Sequence, residues 1–248
     1  MTADNAFGWI AAEWPAPDNI VAGTTTRTGG VSEGAFASLN LGAHVDDSDE
    51  AVSENRRRLR AHLSLPQEPL WLQQVHGTRV ARSVDDAREP ADAAVGSGAL
   101  NTLAIMTADC LPVLFCSRDG RHIAAAHGGW RGLADGILEQ TVSAMAAPPE
   151  ALIAWLGPAI AQPAFEVGGE VRDAFVRLND ALSNCFEENA RGRWQADLYG
   201  IARWQLAAVG VGDVFGGDFC TYSDADRFYS YRRDAACGRM ASIIGRRP

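Results

Sequence analysis

Residues 103–132 read LAIMTADCLPVLFCSRDGRHIAAAHGGWRG, and three short apolar runs stand out within them: Leu103–Thr107, Val113–Cys116 and His122–Ala126. Runs of this length, bounded by Asp, Pro and Gly, read as strands rather than helix. The next apolar pattern, Leu133–Met145, places Ile137, Val142 and Met145 at helical spacing and stops at Pro148-Pro149. Three strands therefore precede one helix, and several of them must pair with near neighbours. That order excludes strict strand–helix alternation and predicts an α+β or mixed-sheet α/β fold.

Outward from this centre the pattern continues. Ile20–Arg27 is a strand that ends at Gly29-Gly30, and Ser48–Leu63 is a helix that Asp49 can cap. Trp71–Val75 and Thr78–Val84 read as two strands broken at His76-Gly77. Ala151–Leu156, Val214-Phe215, Phe228–Tyr231 and Met240–Ile244 are further strands, while Gly169–Leu178 and Leu198–Val209 are amphipathic helices. The polar segment Asn184–Arg193 reads as an exposed loop. No repeat, linker or low-complexity tract interrupts the chain, so residues 1–248 are expected to form a single domain.

The net charge of −9 argues against a nucleic-acid or anionic-membrane partner. Five cysteines, an odd number without short spacings, argue against a secreted disulfide scaffold and for a reducing, cytoplasmic setting. The N-terminal stretch, with Asp4 and Glu13, does not have the form of a signal peptide. Leu100–Cys116 is the most apolar stretch, but Asp109 and Pro112 interrupt it and it is too short for a membrane span. Small soluble substrates are the expected partners.

His76, Cys110 and His127 each sit at the end of an expected strand, beside Gly or Pro, where loops converge and sites form. One thiolate and two imidazoles are a normal zinc donor set, and three protein ligands would leave a fourth position open for catalysis. Gly128, Gly129 and Arg131 add an expected helix start that favours an anion. Asp109 is either a proton shuttle or a carboxylate that orients a histidine, and the second role is preferred. Glu166 is another acid/base candidate. Spacing alone does not separate this site from hydrogen-bonded loop histidines and a buried thiol. Arg56-Arg57-Arg58 reads as a solvated helix face from which one side chain could turn inward, and Cys116, Cys185, Cys220 and Cys237 as incidental thiols. His44, His62 and His122 have no evident partners.

Seven motifs then appear in order: SLNLG (38–42), QVHG (74–77), TADCLP (107–112), HGGWRG (127–132), LGPAI (156–160), FEV (165–167) and YSYRRD (229–234). This set resembles the YfiH family, described variously as polyphenol oxidase or laccase-like, as peptidoglycan editing factor and as zinc-dependent purine nucleoside phosphorylase. The resemblance runs from about Val21 to Ile244, and its one evident departure is Gly128, where the family usually has Ala. It implies a layered α/β/β/α arrangement of mixed sheets between helices, with His76, Cys110 and His127 as metal ligands. It also implies phosphorolysis of adenosine, inosine and methylthioadenosine, with adenosine deamination. Through its Asn55-Arg56 pair, Arg56 is carried over as a contact to phosphate or substrate, and Arg131 and Asn40 are further expected substrate contacts. YSYRRD could bind substrate, but reads better as a strand whose arginines pair with acidic neighbours.

The oxidase label can be tested by counting. A multicopper centre needs many more imidazoles than the five histidines present, so copper is disfavoured. The main alternative keeps the triad without metal, with Cys110 as the nucleophile of an amidase activated by a histidine. A zinc-stabilised scaffold is the third reading.

Overall fold

A computed structural model describes residues 7–65, 67–96 and 101–247. Asp4 and Leu100, which figured in the N-terminal and membrane-span readings, lie outside the described residues. The central hairpin forms as expected: β7 (Leu111–Ser117) pairs antiparallel with β8 (Ile123–Gly128), with Val113 opposite Ala126 and Pro112 opposite His127. Around it a six-stranded sheet runs in the order β13-β9-β7-β8-β5-β4, adding β4 (Val80–Ala81), β5 (Ala93–Gly96), β9 (Leu152–Leu156) and β13 (Asp213–Gly216).

The preceding run, β6 (Thr102–Thr107), does not join that sheet. It lies in a five-stranded sheet ordered β1-β2-β14-β6-β3, with β1 (Trp9–Ala11), β2 (Ile20–Thr25), β3 (Leu70–Trp71) and β14 (Met240–Arg246). The switch happens at Asp109, a non-glycine residue with φ of +90°. Such a residue turns the chain out of the strand region, so consecutive strands pass from one sheet to the other.

Strand alternation then sorts the side chains into layers. Leu103, Ile105 and Ile244 from one sheet meet Leu114, Ile123, Ala125, Ile153 and Trp155 from the other in a buried layer between the sheets. The outer face of the six-stranded sheet, including Val113, Phe115 and Ala154, packs on α3 (Ile137–Ala144), α4 (Gly169–Val176) and α5 (Leu198–Ala208). Ala104, Ala241 and Ile243 pack on Leu59 and Leu63, the latter just beyond the end of α1 (Asp49–His62). The order of layers is α/β/β/α, a mixed α/β single domain. Among the described residues no helix is long and apolar enough to cross a membrane.

Several local expectations are corrected. The cap of α1 is Ser48, whose hydroxyl accepts from the Ala51 N–H, rather than Asp49. The Leu133–Met145 helix is broken: α2 (Trp130–Ala134) ends before α3 begins, because Gly136 takes φ of +90°. Phe228–Tyr231 is not a strand; Phe228 and Tyr229 are buried aromatic plugs, and a one-turn helix, α6 (Tyr231–Asp234), follows. Asn184–Arg193 is not wholly loop, since β11 (Phe186–Glu188) pairs with β12 (Trp194–Ala196), which also pairs with β10 (Glu166–Val167). The expected strands Trp71–Val75 and Thr78–Val84 shrink to β3 and β4; between them the Gln74 side chain bonds to the Met106 backbone, and the backbone N–H groups of residues 75–77 are taken by a side chain.

Leu114 is fully buried between the sheets, and Val84 is 60% exposed. Leu114→Ala is expected to cost about 2–5 kcal/mol, and Val84→Ala less than about 0.5 kcal/mol. Denaturant midpoints at unchanged slope measure both; equal midpoints for the two variants would contradict the layer assignment.

Candidate metal centre

The side chain that captures residues 75–77 belongs to Asp92, fully buried just ahead of β5. Its Oδ2 accepts from the Val75 N–H (3.1 Å) and the Gly77 N–H (2.7 Å), and its Oδ1 from the His76 N–H (2.8 Å). This cradle holds His76 in a turn with φ of +61°. The same Oδ1 lies 2.8 Å from His127 Nδ1, while the Asp92 carbonyl accepts from the His127 N–H at 2.7 Å. With Nδ1 donating to the carboxylate, Nε2 of His127 is left with its lone pair for a ligand.

His127 ends the inner face of β8 that Ile123 and Ala125 begin, and Cys110 lies in the turn between β6 and β7. The donor atoms of His76, Cys110 and His127 lie within 4.8 Å of one another, and Cys110 Sγ is 3.7 Å from His76 Nε2. Tetrahedral zinc with one thiolate and two imidazoles spaces its donors about 3.3–3.6 Å apart. The set fits such an ion with little adjustment. Gly129 completes the cradle: a β-carbon there would come 2.5 Å from His76 Cδ2 and 3.4 Å from Cys110 Sγ. A carboxylate-oriented His, a thiolate and a second His, with no fourth protein donor among the described residues, leave one position open.

Electrostatics prepare the donors. Burial alone would push the Cys110 thiol up, but the charge of His127 and hydrogen bonds from both histidines bring it down to about 6. Burial works against charge on His127 as well, yet the Cys110 thiolate and Asp92 raise it to about 9. Without metal, the two shifts depend on each other: a proton on His127 favours the Cys110 thiolate, and the thiolate favours that proton. Cys116 behaves oppositely: its buried thiol is pushed up to about 12. All five cysteines are free.

The triad opens into a cavity of about 500 Å³, within the usual size range of ligand sites. Phe165, Trp130 and Tyr231 supply aromatic surface, and Arg131, Arg232 and Arg239 supply positive charge. Arg131 lies over the Trp130 ring (4.5 Å) with no carboxylate partner among the described residues. Arg232 lies over Phe165 and donates to the Glu166 carbonyl.

Other expected residues fall elsewhere. Arg56 turns inward from the basic run, and its guanidinium donates to the Leu41 carbonyl, stacks on Trp71 and touches the Met106 sulfur behind the cavity wall, without itself lining the cavity. Arg57 and Arg58 pair with Glu54. Asn40 is fully buried and ties its own loop to Gly42, Asp47 and Arg239, so its amide is a scaffold group. Glu166 is held by Asn189 and Arg191 outside the cavity. Asp109 lines the cavity, but its carboxylate orients no histidine; Asp92 does that. The helix after Gly129 has only five residues, so its macrodipole is small.

Sequence reading missed Asp92, His44 and Arg239. His44 and Arg239 line the cavity from loops distant in sequence. Asp92 carried a signal: an acid followed at once by the apolar run Ala93–Val95, where a lone carboxylate is buried only with partners.

Two outcomes follow from this geometry. Asp92→Asn is expected to weaken zinc binding by about 10–100-fold, read by competition with a chromogenic chelator. In metal-free protein, alkylation of Cys110 should rise with thiolate fraction through a midpoint near pH 6 and level off above it, since its thiol is depressed to about 6. Peptide mapping of the alkylated site checks this; a midpoint near pH 8–9, the range of an ordinary thiol, would contradict it.

A family model described as multi-copper polyphenol oxidoreductase laccase matches residues 21–247. A Pseudomonas aeruginosa protein named purine nucleoside phosphorylase is 53% identical, over 95% of this chain and 97% of its own. An Escherichia coli protein named purine nucleoside phosphorylase YfiH is 51% identical over the same shares. The crystal structure of a Neisseria meningitidis protein superposes with a TM-score of 0.93 at 48% identity, covering 97% of this chain and 100% of that one. YlmD from Geobacillus stearothermophilus superposes at 0.89 with 33% identity, covering 99% and 98%. Matched almost end to end in both sequence and fold, the chain belongs to the YfiH family, whose model carries the multicopper laccase description.

Proposed function

We propose that this chain is a zinc-dependent purine nucleoside phosphorylase acting on adenosine, inosine and methylthioadenosine, with adenosine deamination at the same site. The observation that carries the reading is the three-donor cluster of His76, Cys110 and His127, open on one side to a cavity with both aromatic and cationic walls. The names of the relatives support the same reaction class. Zinc bound there would supply Lewis-acid polarisation of an oxygen nucleophile.

The protein's own groups do the rest. Tyr231 and Phe165 line the cavity with aromatic surface suited to a purine, and Arg131 offers a guanidinium fork to phosphate. In phosphorolysis a phosphate oxygen forms the new bond to C1′ of the ribose. The C1′–N9 bond breaks, its electron pair leaves with the purine, and a proton is added to the departing base. His127, fixed by Asp92, keeps one nitrogen directed at the cavity throughout. Arg56 and Asn40, spent on the scaffold, are not among the groups proposed to touch substrate. Five histidines, only two of them in the cluster, speak against a multicopper oxidase. Five free thiols support a cytoplasmic setting.

A second reading has a specific observation behind it. Cys110, His127 and Asp92 also form a Cys–His–Asp relay with the thiol already depressed, the arrangement of a cysteine amidase. Metal analysis of the purified protein, with nucleoside turnover measured with and without phosphate and with and without chelator, separates the two. About one zinc per chain, and release of free base that requires phosphate and is lost with chelator, is the expected result. Base release equal without phosphate would exclude phosphorolysis, and full activity without metal would favour the thiol nucleophile.

A further inference from the structure

Asp109 lines the cavity beside Cys110, and the catalytic scheme above gives it no task. Its backbone is an outlier: φ of +90° in a non-glycine residue is sterically costly and persists only where surrounding bonds enforce it. Those bonds are visible. The carboxylate is almost fully buried, and its Oδ1 accepts from the Thr221 hydroxyl at 2.6 Å. Its Oδ2 accepts from the Ser230 hydroxyl at 2.9 Å and from the Arg232 N–H at 2.7 Å. The Asp109 carbonyl accepts from the Ile160 N–H at 2.9 Å.

All three carboxylate partners belong to one segment, 221–232, and that segment is tied to itself. The Arg233 guanidinium donates to the carbonyls of Thr221, Tyr222 and Phe228, and the Ser230 hydroxyl caps α6 by accepting from the Arg233 N–H. Its own bonds hold it together, and it carries two side chains of the cavity wall, Tyr231 and Arg232. Ala108 packs on its Phe228 and Tyr229, and among the described residues its side-chain hydrogen bonds to the loop that bears Cys110 all run through the Asp109 carboxylate.

We propose that Asp109 is a positioning residue that locks the Tyr231–Arg232 wall of the cavity to the Cys110 metal-ligand loop, setting the distance between the bound nucleoside and the metal. This rests on the zinc nucleoside reading for its substrate, and on geometry alone for the lock. A proton shuttle would need a carboxylate free to exchange a proton with substrate. Asp109 instead has both oxygens engaged by donors, one of them a backbone N–H that cannot reverse.

The test uses the full chain loaded with cobalt(II), whose thiolate charge-transfer and d–d bands report the Cys110 geometry without any substrate. Asp109→Ala is expected to shift those bands and to weaken cobalt binding by about tenfold, the scale of lost outer-shell contacts. Asp109→Asn can still accept from the Arg232 N–H and Ser230 while donating to the Thr221 hydroxyl, so it is expected to retain the wild-type bands. In zinc-loaded protein, Asp109→Ala should raise KM for the nucleoside by a larger factor than it lowers kcat.

Should Asp109→Ala fail to fold, Thr221→Val removes one donor and should produce the same band shift in smaller degree. Wild-type bands and cobalt affinity in folded Asp109→Ala would overturn the proposal. So would Asp109→Asn with unchanged bands and KM but abolished kcat, the mark of a proton shuttle. If the wild-type protein shows no nucleoside turnover, the functional reading fails while the cobalt bands still decide the lock.

Discussion

A single buried carboxylate, that of Asp92, organises the site and part of the fold around it. Burying an unpaired carboxylate is costly, so it must be supplied with donors. It is: three successive backbone N–H groups and one imidazole surround it. Each donor has a structural effect. The three amides are withdrawn from sheet pairing, which holds His76 in a turn beside Cys110. The imidazole is fixed in one tautomer with its other nitrogen free. One residue thus places two of three candidate metal donors, and the third, Cys110, reaches the cluster from the turn between β6 and β7.

The second constraint is the passage of the chain from one sheet to the other between β6 and β7. The two sheets share a dry layer of Leu, Ile, Ala and Trp side chains along most of their length. At one end of that layer the apolar residues give way to His127, Asp109 and Cys110. The site is therefore built on strand ends packed on both sides, and its donors are held by the same bonds that join the layers. Only Gly129 leaves room between His76 and Cys110, so the cradle depends on a missing side chain as much as on those present.

The same geometry explains why such a site invites contradictory descriptions. One thiolate and two imidazoles bind zinc, copper or nickel by donor type alone. A Cys–His–Asp relay is also the core of a thiol nucleophile. The charge pair between Cys110 and His127 serves either role, because a thiolate is both the better ligand and the better attacking group. What distinguishes the roles is the remainder of the cavity, whose aromatic and guanidinium walls suit a purine and a phosphate.

Much was legible in the sequence for a physical reason. β7, β8, β9 and β14 are buried on both faces, so their short continuous apolar runs and the three candidate donors at strand ends could be read from residue type and position. Local chemistry misled where long-range partners took over. The strand expected at Trp71–Val75 lost its last amide to Asp92, the strand expected at Phe228–Tyr231 became aromatic plugs behind the Asp109 lock, and Gly136 broke a helix whose apolar spacing was continuous. The residues 92, 44 and 239 join the site from segments far apart in the chain, and Asp92 takes the histidine-orienting role that adjacency to Cys110 suggested for Asp109. By itself the sequence determined the mixed strand–helix class and three candidate donors at strand ends, because apolar runs and donor chemistry are local, while the layer order came with the resemblance to a known family. Only the tertiary structure decided which carboxylate orients the histidine and which arginine faces the cavity, because both depend on contacts between segments that spacing along the chain does not encode.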